Sequence, residues 1–284
     1  HLKHNGHTEM RFSINTDTVI ESFEHGTPRA KQRIEAARKA IKAGYPVGFL
    51  IAPVFIYPHW KEDYLMLIKM LKDFLDNTYF GKVDDLLNQL KLMKENYREI
   101  TMLSHTHGQP ATPTTVGKEL SVYIYRIETV IKVIKSMRLR GKFSGAVGNF
   151  AALKIAYPDK DWLKISKKFV ESQELDFNPL TTQIESHDIL CMILSLTKNL
   201  NNIIYDLNQD MWLYISSSYF KLKIINKEVG SSVMPHKVNP INFENSMANM
   251  KLSNSLVDSL VDNLQISRMQ RDLSDSSLQR NIGV

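Results

Sequence analysis

Cysteine is almost missing from this chain. Cys191 stands alone among 284 residues, so neither an intrachain disulfide nor a cysteine-held metal cluster can form. A lone thiol on an apolar helix stripe reads as a small core residue. Long hydrophobic runs are missing too. No apolar stretch reaches the roughly 20 residues that a bilayer-spanning helix needs, and His1 to Met10 is polar, without the pattern of a secretion or targeting signal. The expected compartment is the cytoplasm, with no membrane partner. What is present is the balance of a globular protein, with 43% hydrophobic and 23% charged residues, in a chain long enough for one large domain or two ordinary ones. The net charge of +6 raises the question of nucleic acid. Lysines and arginines are spread along the chain beside acidic residues, and the densest stretch (Lys132, Lys135, Arg138, Arg140, Lys142) has no interleaved aromatics. Such a stretch is a solvated face or suits small anions, and no nucleic-acid partner is expected.

Two kinds of pattern meet along the chain. In the first sixty residues the order is strand, helix, strand. Arg11 to Asn15 alternates as a strand does. Thr27-Pro28 has the form of a helix start, a hydroxyl cap followed by proline at the first helical position. The helix should run to about Ala43, with Gly44 as its stop. Val47 to Phe55 is nearly continuous in apolar residues, as in a strand covered on both faces. The result is one βαβ unit that cannot bury its own faces alone. From about Tyr64 onward no strand is expected. Val116, Leu120, Tyr123, Ile127, Val130, Ile134 and Met137 step by fours and threes. Ile189, Ile193, Leu196, Leu200, Ile203, Leu207, Met211 and Tyr214 do so over more than six turns, and Leu252, Leu256, Leu260 and Leu264 mark a third long helix. Helices of this kind pack as a bundle, often one shared between subunits.

Three irregular stretches lie between the stripes: Ser104 to Pro113, Phe177 to Asp188, and Glu228 to Pro240. Chemistry concentrates on such loops. The segment Gly230 to Pro240 combines glycine, two hydroxyls, a cation and an amide, which suits either a substrate-closing loop or a polar connection. His107, beside a glycine in THGQP, is open to a solvated or structural role as well as a catalytic one. Arg271, Ser276 and Arg280 taken alone are equally consistent with a helix surface.

Together these segments resemble a known family. GSSVMPHKVNP (Gly230 to Pro240) is similar to the signature loop of the fumarase, aspartase and argininosuccinate lyase superfamily. THGQPATP (Thr106 to Pro113), GAVGN (Gly145 to Asn149), TTQIESHD (Thr181 to Asp188), INFEN (Ile241 to Asn245) and SRMQRDLSDSSLQRNIG (Ser267 to Gly283) are similar to its adenylosuccinate lyase branch, in the same order. The resemblance covers about residues 70 to 284 and implies a mainly α long-helix bundle of the fumarase/aspartase type. It implies a β-elimination that releases fumarate from adenylosuccinate to give AMP, and from the analogous ribotide SAICAR to give AICAR. It also implies a homotetramer whose sites gather loops from three subunits, with neither cofactor nor metal. By that resemblance Ser231 is the base that removes the succinyl β-proton. Because a serine hydroxyl is a weak base in water, its loop is expected to close near positive charge. Lys237 and Asn239 stabilise the developing carboxylate charge, His107 protonates the departing purine nitrogen, and Glu244 pairs with that imidazole. Thr106 and Gln183 bind substrate. Arg271, Ser276 and Arg280 grip a monophosphate, for which forked guanidinium donors are suited.

The pattern also departs from the family. A His-Asp motif and a Thr-Ser-(Glu/Asp)-(Ile/Val)-Asn motif expected upstream are not found. Residues 1 to 66 instead resemble part of spore photoproduct lyase, a radical-SAM enzyme, through HNGHTEMRFSIN, FEHGT, RIEAARKAIKAGYPVGF and APVFIYPHWKEDY. That chemistry needs three cysteines for its cluster, and this chain has one. The expected organisation is a mosaic, a foreign βαβ segment over 1–66 and an incomplete helical lyase domain over 67–284, joined near residues 64 to 70. The alternatives are a helical assembly fragment without catalysis, another fumarate-releasing lyase of the superfamily, or a DNA-associated protein acting through the first segment.

Overall fold

The computed structural model describes residues 10–43, 45, 47–50, 59, 63, 66–67, 70, 81–222 and 238–279. The chain divides into two compact units, His1–Leu86 with Ser276–Val284, and Leu87–Asp275.

In the first unit, strand β1 (Met10–Ser13) pairs in parallel with β2 (Val47–Leu50), Met10 opposite Val47 and Ser13 opposite Leu50. Between them lie helices α1 (Asp17–Phe23) and α2 (Ala30–Lys42). Ala30, Ile34 and Ala37 recur at helical spacing and are buried with Ile14, Ile20 and Leu67, while Phe12, Ile41, Val47 and Phe49 pack around them. The parallel pairing fits the βαβ reading. The proposed strand end at 51–55 and the Gly44 stop lie outside the described residues. The start of α2 differs from the Thr27-Pro28 expectation. Asp17 Oδ1 accepts from the Ala30 N–H at 2.9 Å, and Gln32 Oε1 accepts from the Arg29 N–H at 2.9 Å. With those donors satisfied, Thr27 is released from capping and donates to the Glu24 carbonyl at 2.7 Å. Arg33, largely buried, donates to the Ser13 carbonyl, the Glu24 carboxylate and the Thr27 hydroxyl, tying the strand end to both helices.

The second unit is built on long helices. α3 (Gly81–Asn96, of which Leu87 onward belongs to this unit), α4 (Val116–Ser136), α7 (Asp188–Ser216) and α8 (Ile241–Leu264) are joined through the shorter α5 (Ala151–Ala156) and α6 (Trp162–Glu171), and the unit ends at Asp275 in the first turn of α9 (Ser274–Gln279). The mainly α bundle is therefore as expected. On α4 the residues Val116, Leu120, Tyr123, Ile127, Val130 and Ile134 are all buried. On α7 the middle of the stripe, Leu200, Ile203 and Leu207, is buried together with Cys191. On α8 Val257, Leu260 and Leu264 are buried while Leu252 is exposed.

Pairs along the helices fix their directions. Tyr123 donates to Asp210 and Arg126 meets Asp206 at 2.6 Å, so α4 and α7 are antiparallel. Asn208 donates to Ser246 at 2.8 Å, Asn201 to Asn254 at 3.0 Å, and Lys198 meets Asp258 at 2.5 Å, so α7 and α8 are antiparallel too. Gly117 permits the close approach of α4 to the end of α3 and the turn after it, since a Cβ there would lie 2.7 Å from Arg98 Cα and 3.2 Å from the Lys94 carbonyl oxygen.

Strands do not vanish after Tyr64. β3 (Thr101–Thr106) and β4 (Gln109–Thr115) form an antiparallel hairpin with a register shift between Leu103 and His105, and β5 (Arg140–Gly141) pairs briefly with β6 (Asp176–Phe177). The stretch 104–113 is thus a hairpin, not an irregular loop. Its two prolines sit on a two-stranded ribbon, where a missing N–H is tolerated.

Truncating the bundle interior should be costly. Ile127→Ala and Leu200→Ala are each expected to lower stability by about 2–5 kcal/mol, read from urea denaturation midpoints at unchanged slope.

Candidate active site

The hairpin presents His107 at its tip. His107 and Gly108, with φ of 54° and 71°, are the two central residues between Thr106 and its partner Gln109. Positive φ at both is what a type I′ turn demands, and glycine at the second makes it cheap. Thr106 and His107 are exposed. The His105 ring meets Tyr219 edge-on at 5.5 Å, which sets the hairpin beside the C-terminal end of α7. The start of α8 lies at that same end. There Glu244, in the first turn of α8, accepts from the Trp212 indole N–H at 3.0 Å, and Asn239 stands just before the helix, half-buried. The expected Glu244–His107 pair is not the one made within this chain. Trp212 is an indole donor facing the first turn of α8, and it takes the carboxylate. Nearby, burial first and then the negative charge of Asp210 push the Tyr214 phenol up to about 12. Ser231 and Lys237 lie outside the described residues.

The opposite end of α7 gathers three of the other motif segments. Lys142 Nζ donates to three backbone carbonyls, Gly145 at 3.0 Å and Thr182 and Gln183 at 2.7 Å each. Burial lowers its pKa, because the charged ammonium has lost water. Ser144 and Thr181 share a hydroxyl contact at 3.0 Å. Gly148, at φ 79°, comes so close that a Cβ would lie 1.9 Å from the Thr181 carbonyl oxygen. The Gln183 N–H reaches the Gln270 carbonyl at 3.3 Å, leaving its side chain exposed. His187 precedes α7 with φ 63°, its Nε2 3.5 Å from Asp275 Oδ2, and Arg271 lies 3.7 Å from the other oxygen of that carboxylate. Thus GAVGN, TTQIESHD and the 267–275 segment form one cluster. Of the expected phosphate contacts, Arg271 belongs to it. The Ser276 side chain and Arg280 are outside the described residues.

Sequence reasoning placed Gln183 and Arg271 in the site but gave no role to Lys142, His187 or Asp275. His187 and Asp275 lie inside the motif segments, whereas Lys142 in the sequence is only one member of a basic stretch. α7 has 29 residues, and at 1.5 Å per residue it holds its two ends about 43 Å apart. His107 and Glu244 therefore stand at one end of the bundle, and Gln183 and Arg271 at the other.

The close approach at Gly148 is directly testable. Gly148→Ala should displace the 181–183 segment and destabilise the protein by about 1–3 kcal/mol, read by thermal unfolding. Faster amide exchange at Thr182 and Gln183 should accompany it.

Known proteins give this geometry a context. A family described as lyase matches residues 66–254, and one described as spore photoproduct lyase matches residues 1–103. An adenylosuccinate lyase of Buchnera aphidicola (subsp. Acyrthosiphon pisum) is 47% identical over 215 residues, 76% of this chain and 47% of that protein. That of Escherichia coli K12 is 45% identical over 275 residues, 96% of this chain and 60% of that protein. That of Vibrio cholerae is 45% identical over 216 residues, 76% and 47% of the two chains. The chain thus spans about half to three-fifths of the length of the curated relatives it matches. Among the described residues no helix is long and apolar enough to cross a membrane. The lyase match takes in more than half of the chain, including α4, α7 and the first part of α8, and the protein belongs to that lyase family.

Proposed function

We propose that this chain supplies residues for a C–N lyase of the adenylosuccinate lyase type, acting in purine biosynthesis in the cytoplasm. The observation that carries the reading is the 45–47% identity to proteins named adenylosuccinate lyase. The substrate class is a purine nucleotide monophosphate bearing a succinyl group on nitrogen. The Ser231 oxygen takes the β-proton, and the electron pair of that C–H bond passes onto the adjacent carboxylate. The pair returns to form the C=C bond of fumarate as the C–N bond breaks, the C–N electrons leave with the purine nitrogen, and His107 delivers a proton to it. Lys237 and Asn239 face the carboxylate on which negative charge builds, a kind of contact typically worth ~3–4 kcal/mol in the transition state. Glu244 pairs with His107, Thr106 and Gln183 hold the substrate, and Arg271, Ser276 and Arg280 bind the phosphate.

The positions of these residues favour a site shared between copies. His107, Asn239 and Glu244 belong to one end of the bundle, while Gln183 and Arg271 belong to the other. A second copy lying antiparallel would set one end against the other, and it would leave Glu244 free to exchange Trp212 for the imidazole of a neighbour. Exposed apolar residues on the long helices, among them Tyr125 and Leu252, give such a copy a surface to cover. We propose a homotetramer. We also propose a foreign segment over 1–66 joined near residues 64 to 70; the start of the lyase match at residue 66 supports that join, while the spore photoproduct lyase match runs on to residue 103.

Incubation with adenylosuccinate, followed by loss of its ultraviolet absorbance, tests the reaction. His107→Gln and Ser231→Ala should each lower kcat by about 100-fold or more while AMP still binds. Mixing His107→Gln chains with Arg271→Ala chains should restore part of the activity, because some sites then draw both intact ends. A wild-type chain with neither turnover nor AMP affinity rejects the reading, and tetramers without nucleotide affinity leave only the assembly scaffold.

A further inference from the structure

His187 and Asp275 belong to two of the motif segments, yet the reaction scheme gives neither a task. Asp275 is only 4% exposed. A buried carboxylate is costly unless it is paired. Here one oxygen faces His187 Nε2 at 3.5 Å and the other faces an Arg271 guanidinium nitrogen at 3.7 Å. His187 in turn is fixed by the backbone. It sits in the left-handed region at the start of α7, and its own N–H donates to Glu185 Oε2 at 2.7 Å. Glu185 also accepts from Asn178 at 2.9 Å, so the imidazole hangs from an anchored turn. Arg271 is the member of the group that keeps access to solvent, with its side chain 31% exposed. Three residues earlier, Arg268 pairs with Asp272 and is 86% exposed. One arginine of this segment is held by a buried anchor, and the other lies on the surface.

We propose that Asp275 is a positioning residue. Its carboxylate holds the Arg271 guanidinium in place for the phosphate of a nucleoside monophosphate, and His187 locks that carboxylate from the other side. The inference rests on the function proposed above and adds to it two residues that touch neither the breaking bond nor the phosphate. A guanidinium anchored on one side keeps its other donors preorganised for phosphate oxygens, so less side-chain entropy is lost on binding.

The test uses the full chain with two readouts. Calorimetry compares AMP with adenosine, which lacks the phosphate. Peptide mass spectrometry follows the rate of phenylglyoxal modification at Arg271, with Arg268 as internal reference. Asp275→Asn should weaken AMP by about tenfold, as loss of one charge-assisted contact implies, and leave adenosine unchanged. It should also speed modification of Arg271 relative to Arg268. His187→Gln should move both readouts in the same direction by less, and it serves as the second variant if Asp275→Asn does not fold. Equal weakening of AMP and adenosine, with Arg271 reactivity unchanged, would make Asp275 a packing residue and overturn the proposal. If the wild type binds no AMP, the proposed function fails on that measurement. The hold on Arg271 is then decided by reactivity alone: faster modification in Asp275→Asn sustains it, and an unchanged rate overturns it.

Discussion

The antiparallel pairing of α7 with its two long neighbours is the constraint on which the second unit depends. Apolar stripes alone would allow helices to slide by a turn at little cost. The seams here are partly polar: Tyr123 with Asp210 and Arg126 with Asp206 on one side, Asn201 with Asn254 and Asn208 with Ser246 on the other. Shifting either neighbour by one turn would break all the pairs on its seam and leave half-buried amides and carboxylates without partners. The Tyr123 phenol is driven far above its usual pKa, by burial first and by its bond to Asp210 second, so it stays a neutral donor in any ordinary buffer. Register along α7 is thereby fixed, and with it the distance between the two groups of polar residues.

At the N-terminal end of α7 the problem is one of backbone satisfaction. Loops crossing there bring carbonyl oxygens together, and Lys142 meets three of them with the three donors of a single ammonium. The neighbouring close contact is possible because residue 148 has no Cβ. A cation and a glycine thus let two connections lie against each other where a neutral, bulkier pair would push them apart.

How much of this was legible from sequence follows from the range of each interaction. The α4 stripe could be read because every third or fourth residue from Val116 to Ile134 is apolar, and each one is buried. The hairpin was hidden by its composition. Thr, Ser and two prolines looked like a loop, although His107-Gly108 between threonine-rich segments carried the signal of a tight turn. The start of α2 was misjudged because its caps come from Asp17, thirteen residues away, and from Gln32. The contact that Glu244 makes within the chain is out of reach for the same reason: Trp212 lies on another helix, and no periodicity connects them. The motif letters identified the segments, but only the three-dimensional arrangement divided them between two ends.

The burial of Cys191 has a practical side. With 1% of its surface exposed, and with its thiol pushed upward first by burial, it is a poor thiolate and a poor target for oxidants or alkylating reagents. The natural chain therefore offers almost no background to thiol chemistry. A cysteine introduced on the solvent side of either end of α7 would be close to a unique handle, and a pair of spectroscopic labels attached there could measure how neighbouring chains are arranged in solution.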